Sequence, residues 1–192
     1  MCTRRQPAER PRTDLTASLL ARLRSADTTA GNLLDQIYRR PLIRLCYGYL
    51  RNQQAAEDAV QEVFCRVLRA GEVPDNFRAW VYRIARNYCL GVLRAQQGGA
   101  RTPRGLPPSS CLPGSATGQL SRLVKQEQRA RMAQVVGALP EEQREVLNLR
   151  YGDGLSRAEI AYVLDISEAT VKSRLFQAVK KLREHASLVN EA

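Results

Sequence analysis

Residues 162–175, "YVLDISEATVKSRL", contain two short apolar runs with helical spacing that meet at a four-residue bend. Ser167 stands where a second helix would begin, because a serine side chain can accept a hydrogen bond from a first-turn backbone N–H group. Asp165 lies at the turn, where the backbone is often left-handed, a conformation that aspartate tolerates better than most residues. A short helix, a tight turn and a longer helix form a helix-turn-helix, whose second helix in DNA-binding proteins meets base edges. We therefore predict a DNA-reading helix at 167–184, with a purely structural hairpin as the alternative.

This second helix carries the small polar and cationic side chains that DNA contact requires. Near its start, the side chains predicted to reach base edges are Glu168, Ala169, Lys172 and Ser173. The side chains predicted to touch phosphates are Thr170, Arg174, Lys180 and Lys181. Upstream, "SRAE" at 156–159 has capping-box spacing and predicts the start of the preceding helix. Gly152 is the predicted cap of a helix that begins near Pro140.

The overall charge favours a polyanionic partner. Among 192 residues, 30 Lys and Arg outnumber 19 Asp and Glu, which gives a net charge of +11. Such a chain binds a polyanion such as DNA favourably, because the phosphates that it neutralises release their counterions.

The five cysteines form no C-x-x-C pair and there is one histidine, so we expect no metal site and no catalytic site. Cys46, Cys65 and Cys89 lie in helical patterns and are predicted to be buried thiols. Apolar runs fall short of the ~20 residues of a membrane span, and we expect a cytoplasmic protein without cofactor, membrane insertion or small-molecule substrate.

Helical periodicity without strand alternation predicts an all-α protein of two small domains. The helical runs of the first half cover Asn32–Leu50, Ala55–Arg69 and Asp75–Arg94. Pro41 either kinks the first run or begins a new helix. Glycine, proline and serine dominate 96–118, which predicts a linker that tethers the domains without docking them and spans ~75 Å when extended. The predicted organisation is a disordered basic arm at 1–13, a helical domain at 14–97, a flexible linker at 98–118, a helix-turn-helix domain at 119–187 and a tail at 188–192.

Two helical runs of the first domain have surfaces of opposite charge. In the run that ends at Arg69, the outward positions at spacings of three and four are Asp58, Gln61, Glu62 and Cys65. This acidic stripe is either a solvated face or a docking surface for a basic helical partner. The next run carries Arg78, Arg83, Arg86 and Arg94, with Tyr82 and Tyr88 between them. Cations that follow a backbone and rings that stack on unpaired bases make it a candidate for single-stranded DNA, while Trp80 and Ile84 are predicted core residues.

At these residues a family resemblance is visible. "AEDAVQEVFCRVLR" followed by "FRAWVYRIARNYCLGVLR" resembles region 2 of bacterial RNA polymerase sigma factors. "LPEEQREVLNLRYGDGLSRAEIAYVLDISEATVKSRLFQAVKKLRE" resembles their region 4. The layout is similar to the extracytoplasmic-function (ECF) group of the sigma-70 family. The helix-turn-helix alone would not be specific, since response-regulator effector domains share it, but the two motifs in this order are.

The resemblance implies roles for particular residues. Those that match the pattern docking on the clamp helices of the polymerase β′ subunit are Asp58, Gln61, Glu62 and Phe64. Those implied to contact the melted −10 element are Arg78, Arg83, Arg86 and Asn87. The helix at 167–184 matches the −35 reader, and the segment around Val146, Leu147 and Leu149 matches the face offered to the β flap. The implied partners are core RNA polymerase, promoter DNA and an anti-sigma factor.

Three positions depart from the family pattern: Gly91 replaces a usual Asp, Asp165 a usual Gly and Gln177 a usual Arg. Gly91 is expected to destabilise its helix by ~1 kcal/mol relative to a good helix former.

Two functions other than that of a sigma factor remain open at this point. One is a two-domain helix-turn-helix regulator that works without polymerase, and the other is an enzyme acting on nucleic acid.

Overall fold

The structure, a computed structural model, describes residues 18–25, 27–96 and 134–190, with side chains up to residue 184. The N-terminal lobe contains α1 (18–24), α2 (Ala30–Leu50), α3 (Gln53–Arg69) and α4 (Phe77–Gln96). The C-terminal lobe contains α5 (134–138), α6 (Glu141–Leu147), a π-helical turn (Asn148–Gly152), α7 (Arg157–Leu164) and α8 (Glu168–Asn190). Within the described ranges every regular element is helical, which confirms the all-α prediction. The predicted arm and linker lie outside these ranges, and α8 extends into the predicted tail.

Local signals end and restart the helices of the N-terminal lobe. Arg51 ends α2 with a left-handed backbone (φ 57°), and its N–H donates to the Tyr47 carbonyl at 3.0 Å. Asn52 then caps α3 by accepting a hydrogen bond from the Ala55 N–H at 3.0 Å. These two residues reverse the chain so that α3 packs on α2. Pro41 lies inside α2, which continues through it.

The core of this lobe is formed by the apolar faces that periodicity predicts. From α3, Val60, Val63 and Val67 are buried. Between α2 and α4, the Tyr38 and Phe77 rings meet edge to face with centroids 5.8 Å apart, and Trp80 lies 5.8 Å from Phe77. Such aromatic pairs contribute ~0.5–1.5 kcal/mol each beyond the area they bury.

The helix-turn-helix of the C-terminal lobe is confirmed in detail. Ser156 and Glu159 form the predicted capping box at the start of α7, each side chain bonded to the other residue's backbone N–H. Asp165 ends α7 in the left-handed conformation, at φ 60° and ψ 47°. Ser167 begins the next helix by accepting a hydrogen bond from the Thr170 N–H at 3.1 Å. Asp165 therefore adopts the turn conformation for which the family pattern has glycine.

The end of α6 differs from the expectation. The helix does not stop at a left-handed Gly152 but passes into the π-helical turn, and Asp153 follows it with φ −109°. The left-handed glycine is Gly154, at φ +70°, after which the Leu155 N–H donates to the Leu149 carbonyl at 2.9 Å. The prediction that Gly152 is the cap is wrong. Gly152 and Gly154 both fit the sequence pattern of a helix that ends at a glycine, and only the extra residue of the π turn determines which of them is left-handed.

The two lobes pack against each other. Helix α4 contacts α7, and one continuous apolar cluster includes Val81 and Ala85 of α4 together with Ile160 and Val163 of α7. The linker composition predicted only a tether, so this docking is supplied by the lobes themselves. A smaller cluster, containing Val136, Leu139, Leu147 and Ala178, holds α5 and α6 to α8.

Candidate polymerase and nucleic-acid interfaces

The acidic stripe of α3 faces outward. Asp58 and Gln61 are exposed and Glu62 is half-buried, because α3 turns its valines to the core on the opposite side. Asp58 accepts a hydrogen bond from Gln54 Nε2 at 3.1 Å, and Glu62 pairs with Arg66 Nε at 2.8 Å. Both partners lie on α3 itself, so the stripe remains available to an external partner.

Of the two other predicted residues at the stripe, one is buried in the core and one is exposed. Phe64 is buried at 9% exposure and packs in the core under the stripe. Cys65 is exposed, which corrects the prediction of a buried thiol: it occupies the outward register of α3. Cys46 and Cys89 are buried as predicted. A hydrogen bond from the Cys89 thiol to Cys46, together with burial, raises the pKa of Cys89 far above its usual value.

The first turns of α8 present the predicted base-reading set to solvent. Glu168, Ala169, Lys172 and Ser173 are all exposed, because Val171 turns inward and is fully buried. This places polar side chains on the outer face of a helix start that Ser167 caps. The arrangement is the one in which a helix enters a DNA groove.

The side chains predicted to touch phosphates have several different environments. Lys180 and Lys181 are exposed, and Lys180 lies 3.9 Å from Glu184. Arg174 is half-buried and pairs with Glu142 at 2.6 Å, while the Thr170 and Ser167 hydroxyls are 2.8 Å apart. In place of the family's arginine, Gln177 accepts a hydrogen bond from Gln143 Nε2 at 2.9 Å.

Three arginines of α4, Arg78, Arg83 and Arg86, point at the C-terminal lobe. Arg86 Nε donates to Glu145 Oε1 at 2.8 Å, and the Tyr49 hydroxyl donates to the same carboxylate. The Glu145 side chain is 9% exposed and that of Arg86 21%. Sequence reasoning assigned Arg86 to DNA and overlooked Glu145, which binds it across the lobes, and Tyr49, which shares that carboxylate from the N-terminal lobe.

A second contact surrounds Asp153, after the π turn. The buried Asp153 carboxylate pairs with Arg44 of α2, and Arg78 donates to the Asp153 carbonyl and, at 3.3 Å, to the Gly154 carbonyl. A third contact lies at the helix-turn-helix bend. There Arg83 is 3.4 Å from Asp165 Oδ1 and 4.8 Å above the Tyr162 ring.

The other α4 residues considered in the sequence differ in their exposure. Asn87 is exposed. Tyr82 is buried, so the idea that it stacks on bases is wrong, and Tyr88 is half-buried with Arg66 5.1 Å from its ring. Trp80 and Ile84 pack against the core as predicted.

Burial at the lobe interface shifts several pKa values. Burial raises the pKa of Asp153, against the opposing effect of Arg44, and burial followed by the Glu145 charge raises the pKa of Tyr49. Burial, the largest single effect, would lower the pKa of Arg86, but the Glu145 charge together with the hydrogen bonds to Glu145 and Tyr49 outweighs it, and the net pKa lies above the usual value. The guanidinium of Arg86 is therefore charged and paired.

The segment implied to meet the β flap is buried. Val146, Leu147 and Leu149 are at most 9% exposed, because they form the inner side of α6 and the π turn, so the prediction that they form an offered face is wrong. An apolar groove of about 400 Å³ lies nearby on α8 and the π turn. Its exposed large hydrophobic side chains are Tyr151, at 66%, and Phe176, at 70%. Hydrophobic periodicity alone does not mark these two as surface residues.

Among the described residues, no His, Cys, Asp and Glu side chains cluster in a way that could hold a metal ion. No helix in the described ranges has the length and apolar character needed to cross a membrane.

Two family models match the chain in the order of its lobes. The model described as Sigma-70 region 2 matches residues 34–98, and the one described as Sigma-70, region 4 matches residues 129–182. The ECF RNA polymerase sigma-E factor of Escherichia coli (strain K12) is 33% identical over 174 residues, covering 83% of this chain and 88% of that protein. The ECF RNA polymerase sigma factor SigW of Bacillus subtilis (strain 168) is 28% identical over 174 residues, covering 86% and 93% respectively.

Solved structures show the same architecture. CnrH in complex with the cytosolic domain of CnrY matches with a TM-score of 0.61 and 25% identity, over 93% of this chain and 99% of that one. The sigma factor RpoE of Bartonella quintana, in complex with the anti-sigma factor NepR, matches with a TM-score of 0.51 and 21% identity, over 91% and 98%. At 21% identity, the similarity to the Bartonella quintana structure is a similarity of fold.

Proposed function

This chain belongs to the extracytoplasmic-function group of the sigma-70 family and is a promoter-recognising sigma factor, and on that premise we propose which of its surfaces meet polymerase and which meet DNA. The polymerase-docking surface is the acidic stripe of Asp58, Gln61 and Glu62, with the buried Phe64 supporting it from below. The observation that carries this assignment is that a chain of net charge +11 keeps Asp58 exposed and Glu62 half-exposed on one helix face. A basic helical partner, the β′ clamp helices, fits such a face.

The −35 element is read by α8. Its exposed start offers Glu168, Ala169, Lys172 and Ser173 to base edges, and Lys180 and Lys181 further along the helix meet the phosphates. Thr170 and Arg174 add phosphate contacts from partly covered positions. The capped, packed helix-turn-helix holds these side chains in one orientation.

The −10 element is captured by α4. Arg78, Arg83 and Arg86 hold the backbone of the displaced strand, and the exposed Asn87 lies one residue beyond Arg86. Capture of unstacked bases, worth ~1–3 kcal/mol for each stacked contact, drives strand opening. The two elements lie ~50 Å apart on DNA, a distance that an extended linker at 98–118 can bridge.

Further contacts follow from the same premise. The β flap packs on the apolar groove of Tyr151, Leu175 and Phe176 rather than on the buried segment beside it. An anti-sigma factor restrains the chain, as the Bartonella quintana sigma factor of the same fold is bound by one. The protein acts in the cytoplasm, carries out no chemistry of its own and leaves catalysis to the polymerase.

The decisive experiment reverses the charge of the stripe. Asp58→Arg with Glu62→Arg should abolish co-purification with core RNA polymerase, because like charges then face the basic partner. The fold should persist, since both side chains pair only within α3 at exposed or half-exposed positions, where such pairs contribute little. The matched control is Asp35→Arg with Glu72→Arg, which makes the same charge change on the N-terminal lobe and should leave co-purification intact.

The outcomes separate the alternatives. If the stripe variant still co-purifies with polymerase, the docking assignment is wrong. If the wild-type chain binds DNA but never polymerase, it acts as an independent helix-turn-helix regulator. Cleavage or modification of DNA by the chain alone would make it an enzyme, and we expect none.

A further inference from the structure

We propose that Gln143, which lies outside the helix-turn-helix, selects the base that Gln177 of α8 reads in the −35 element. The buried amide of Gln143 turns the amide of Gln177 so that it offers DNA a hydrogen-bond donor and no acceptor. Gln177 then favours guanine or thymine, which carry an acceptor carbonyl, at one position of the element. This inference rests on the proposed assignment of α8 to the −35 element, and it adds one residue that reads a base and one that positions it.

The two glutamines meet where α6 packs on α8. Gln143 Nε2 donates to Gln177 Oε1 at 2.9 Å, and Gln143 is 9% exposed whereas Gln177 is exposed. A second link lies beside the first, because Glu142 of α6 pairs with Arg174 of α8 at 2.6 Å. The two helices also share the smaller apolar cluster of the C-terminal lobe. The Gln177 side chain is therefore held from α6 rather than free to rotate.

The burial of Gln143 decides the direction of this hydrogen bond. An amide side chain can donate through Nε2 or accept through Oε1, so turning both amides over would also give one hydrogen bond. That orientation would leave the buried Gln143 Nε2 without an acceptor. In the observed orientation, the Gln143 atom that has no partner within the described ranges is Oε1. A buried N–H group without an acceptor is rarer in proteins than an oxygen without a donor, so the observed direction is favoured.

Gln177 lies on the face of α8 that carries the base-reading side chains. It follows the exposed Ser173 by four positions, and residues at this spacing lie on the same side of a helix. The next residue, Ala178, turns inward and is fully buried. Lys180 and Lys181, further along, are charged donors, which bind phosphates more strongly than a neutral amide does. The amide of Gln177 is thus assigned to a base edge.

A donor without an acceptor distinguishes the four bases in the major groove. Guanine offers the O6 and N7 acceptors there and thymine the O4 acceptor, whereas cytosine offers only its N4 amino group. Adenine offers an acceptor and a donor, and a free glutamine binds it with both amide atoms. Gln143 occupies Oε1 of Gln177 and removes the second of these contacts. Guanine and thymine are therefore favoured over adenine and cytosine by roughly three- to tenfold, the contribution of one hydrogen bond.

Substitutions of Gln143 test whether it sets this preference. Gln143→Glu keeps the shape of the side chain but can only accept, so Gln177 must turn Nε2 inward and present Oε1 to DNA. The preference should then move to cytosine and adenine, whose amino groups donate. Gln143→Met removes both hydrogen-bonding atoms at a similar size and frees the Gln177 amide, so the preference should move to adenine alone. This second variant keeps the test intact if the buried charge of Gln143→Glu prevents folding.

The measurement uses the full chain assembled with core RNA polymerase. Promoter duplexes with a randomised −35 element are selected for binding, and the enriched pool is sequenced. Gln177→Ala identifies the position that is read, because the preference should vanish at that position alone. Circular dichroism verifies that each variant is folded. Gln53→Glu is the matched control, since it makes the same chemical change to a glutamine that bonds Glu57 on its own helix, and it should match the wild type at every position.

Three results would overturn the proposal. One is a Gln177→Ala chain that keeps the wild-type preference at every position. Another is a wild-type preference for adenine or cytosine at the position that Gln177→Ala identifies. The third is an unchanged preference in the folded Gln143 variants, which would mean that Gln177 reads its base independently of Gln143.

A separate variant distinguishes failure of this inference from failure of the proposed function. If Lys172→Ala leaves the enriched sequences unchanged, or the wild type enriches no sequence, α8 does not read the −35 element and both proposals fall. If the enriched sequences depend on Lys172 but not on Gln143, the assignment of α8 stands and only the role of Gln143 is refuted.

Discussion

Replacement of Gly91 by alanine is expected to stabilise the chain by ~0.8–1.0 kcal/mol, the full difference in helix propensity between the two residues. Gly91 lies inside α4 and is exposed, and a Cβ atom added there would have no heavy atom within 4 Å. Because nothing clashes and nothing new is buried, packing adds no further term. The glycine is therefore a local weakness of the helix that carries the arginines.

Gly154 supplies the matched comparison, since it undergoes the same chemical change in a different backbone conformation. Its φ of +70° is left-handed, and an added Cβ would lie 3.7 Å from Arg78 Nη2, at ordinary contact distance. Left-handed backbone costs a residue with a Cβ ~1–2 kcal/mol, so Gly154→Ala should destabilise by that amount. The two variants should differ in unfolding free energy by ~2–3 kcal/mol.

Urea unfolding followed by far-ultraviolet circular dichroism measures both changes, through the midpoint and slope of the transition. Heating should shift the midpoint by ~2–4 °C per kcal/mol for a chain of this size, upward for Gly91→Ala and downward for Gly154→Ala. A neutral or destabilising Gly91→Ala would refute the reasoning, because it would mean that residue 91 is either not helical or covered in solution. A stabilising Gly154→Ala would refute the left-handed turn.

Two further predictions concern reactivity and DNA contact. Iodoacetamide at neutral pH should modify Cys65 much faster than Cys46 or Cys89, because Cys65 is exposed and the other two thiols are buried. The raised pKa of Cys89 further lowers the fraction of its reactive thiolate. Peptide mapping that found Cys89 modified first would contradict this prediction. Lys181→Ala should weaken binding to −35 duplexes and lower the slope of log K against log salt by ~0.9, whereas an unchanged slope would exclude a phosphate contact.

The helices of each lobe were predictable because their signals are local. Predicted runs at Ala55–Arg69 and Asp75–Arg94 lie within two residues of α3 and α4 at each end, since apolar spacing and caps act over a few positions. The left-handed Asp165 was predictable for the same reason. The choice between Gly152 and Gly154 was not, because one extra residue in a π turn leaves the pattern of residue types unchanged.

The docking of the lobes could not be predicted from the same signals. Arg86 and Glu145 are 59 positions apart, and a charged residue on a helix surface has the same spacing whether it faces water or another lobe. Tyr82 likewise fits an aromatic set for stacking on bases, yet it is buried. Sequence periodicity identifies which face of a helix is polar, whereas the partner of that face depends on the three-dimensional arrangement.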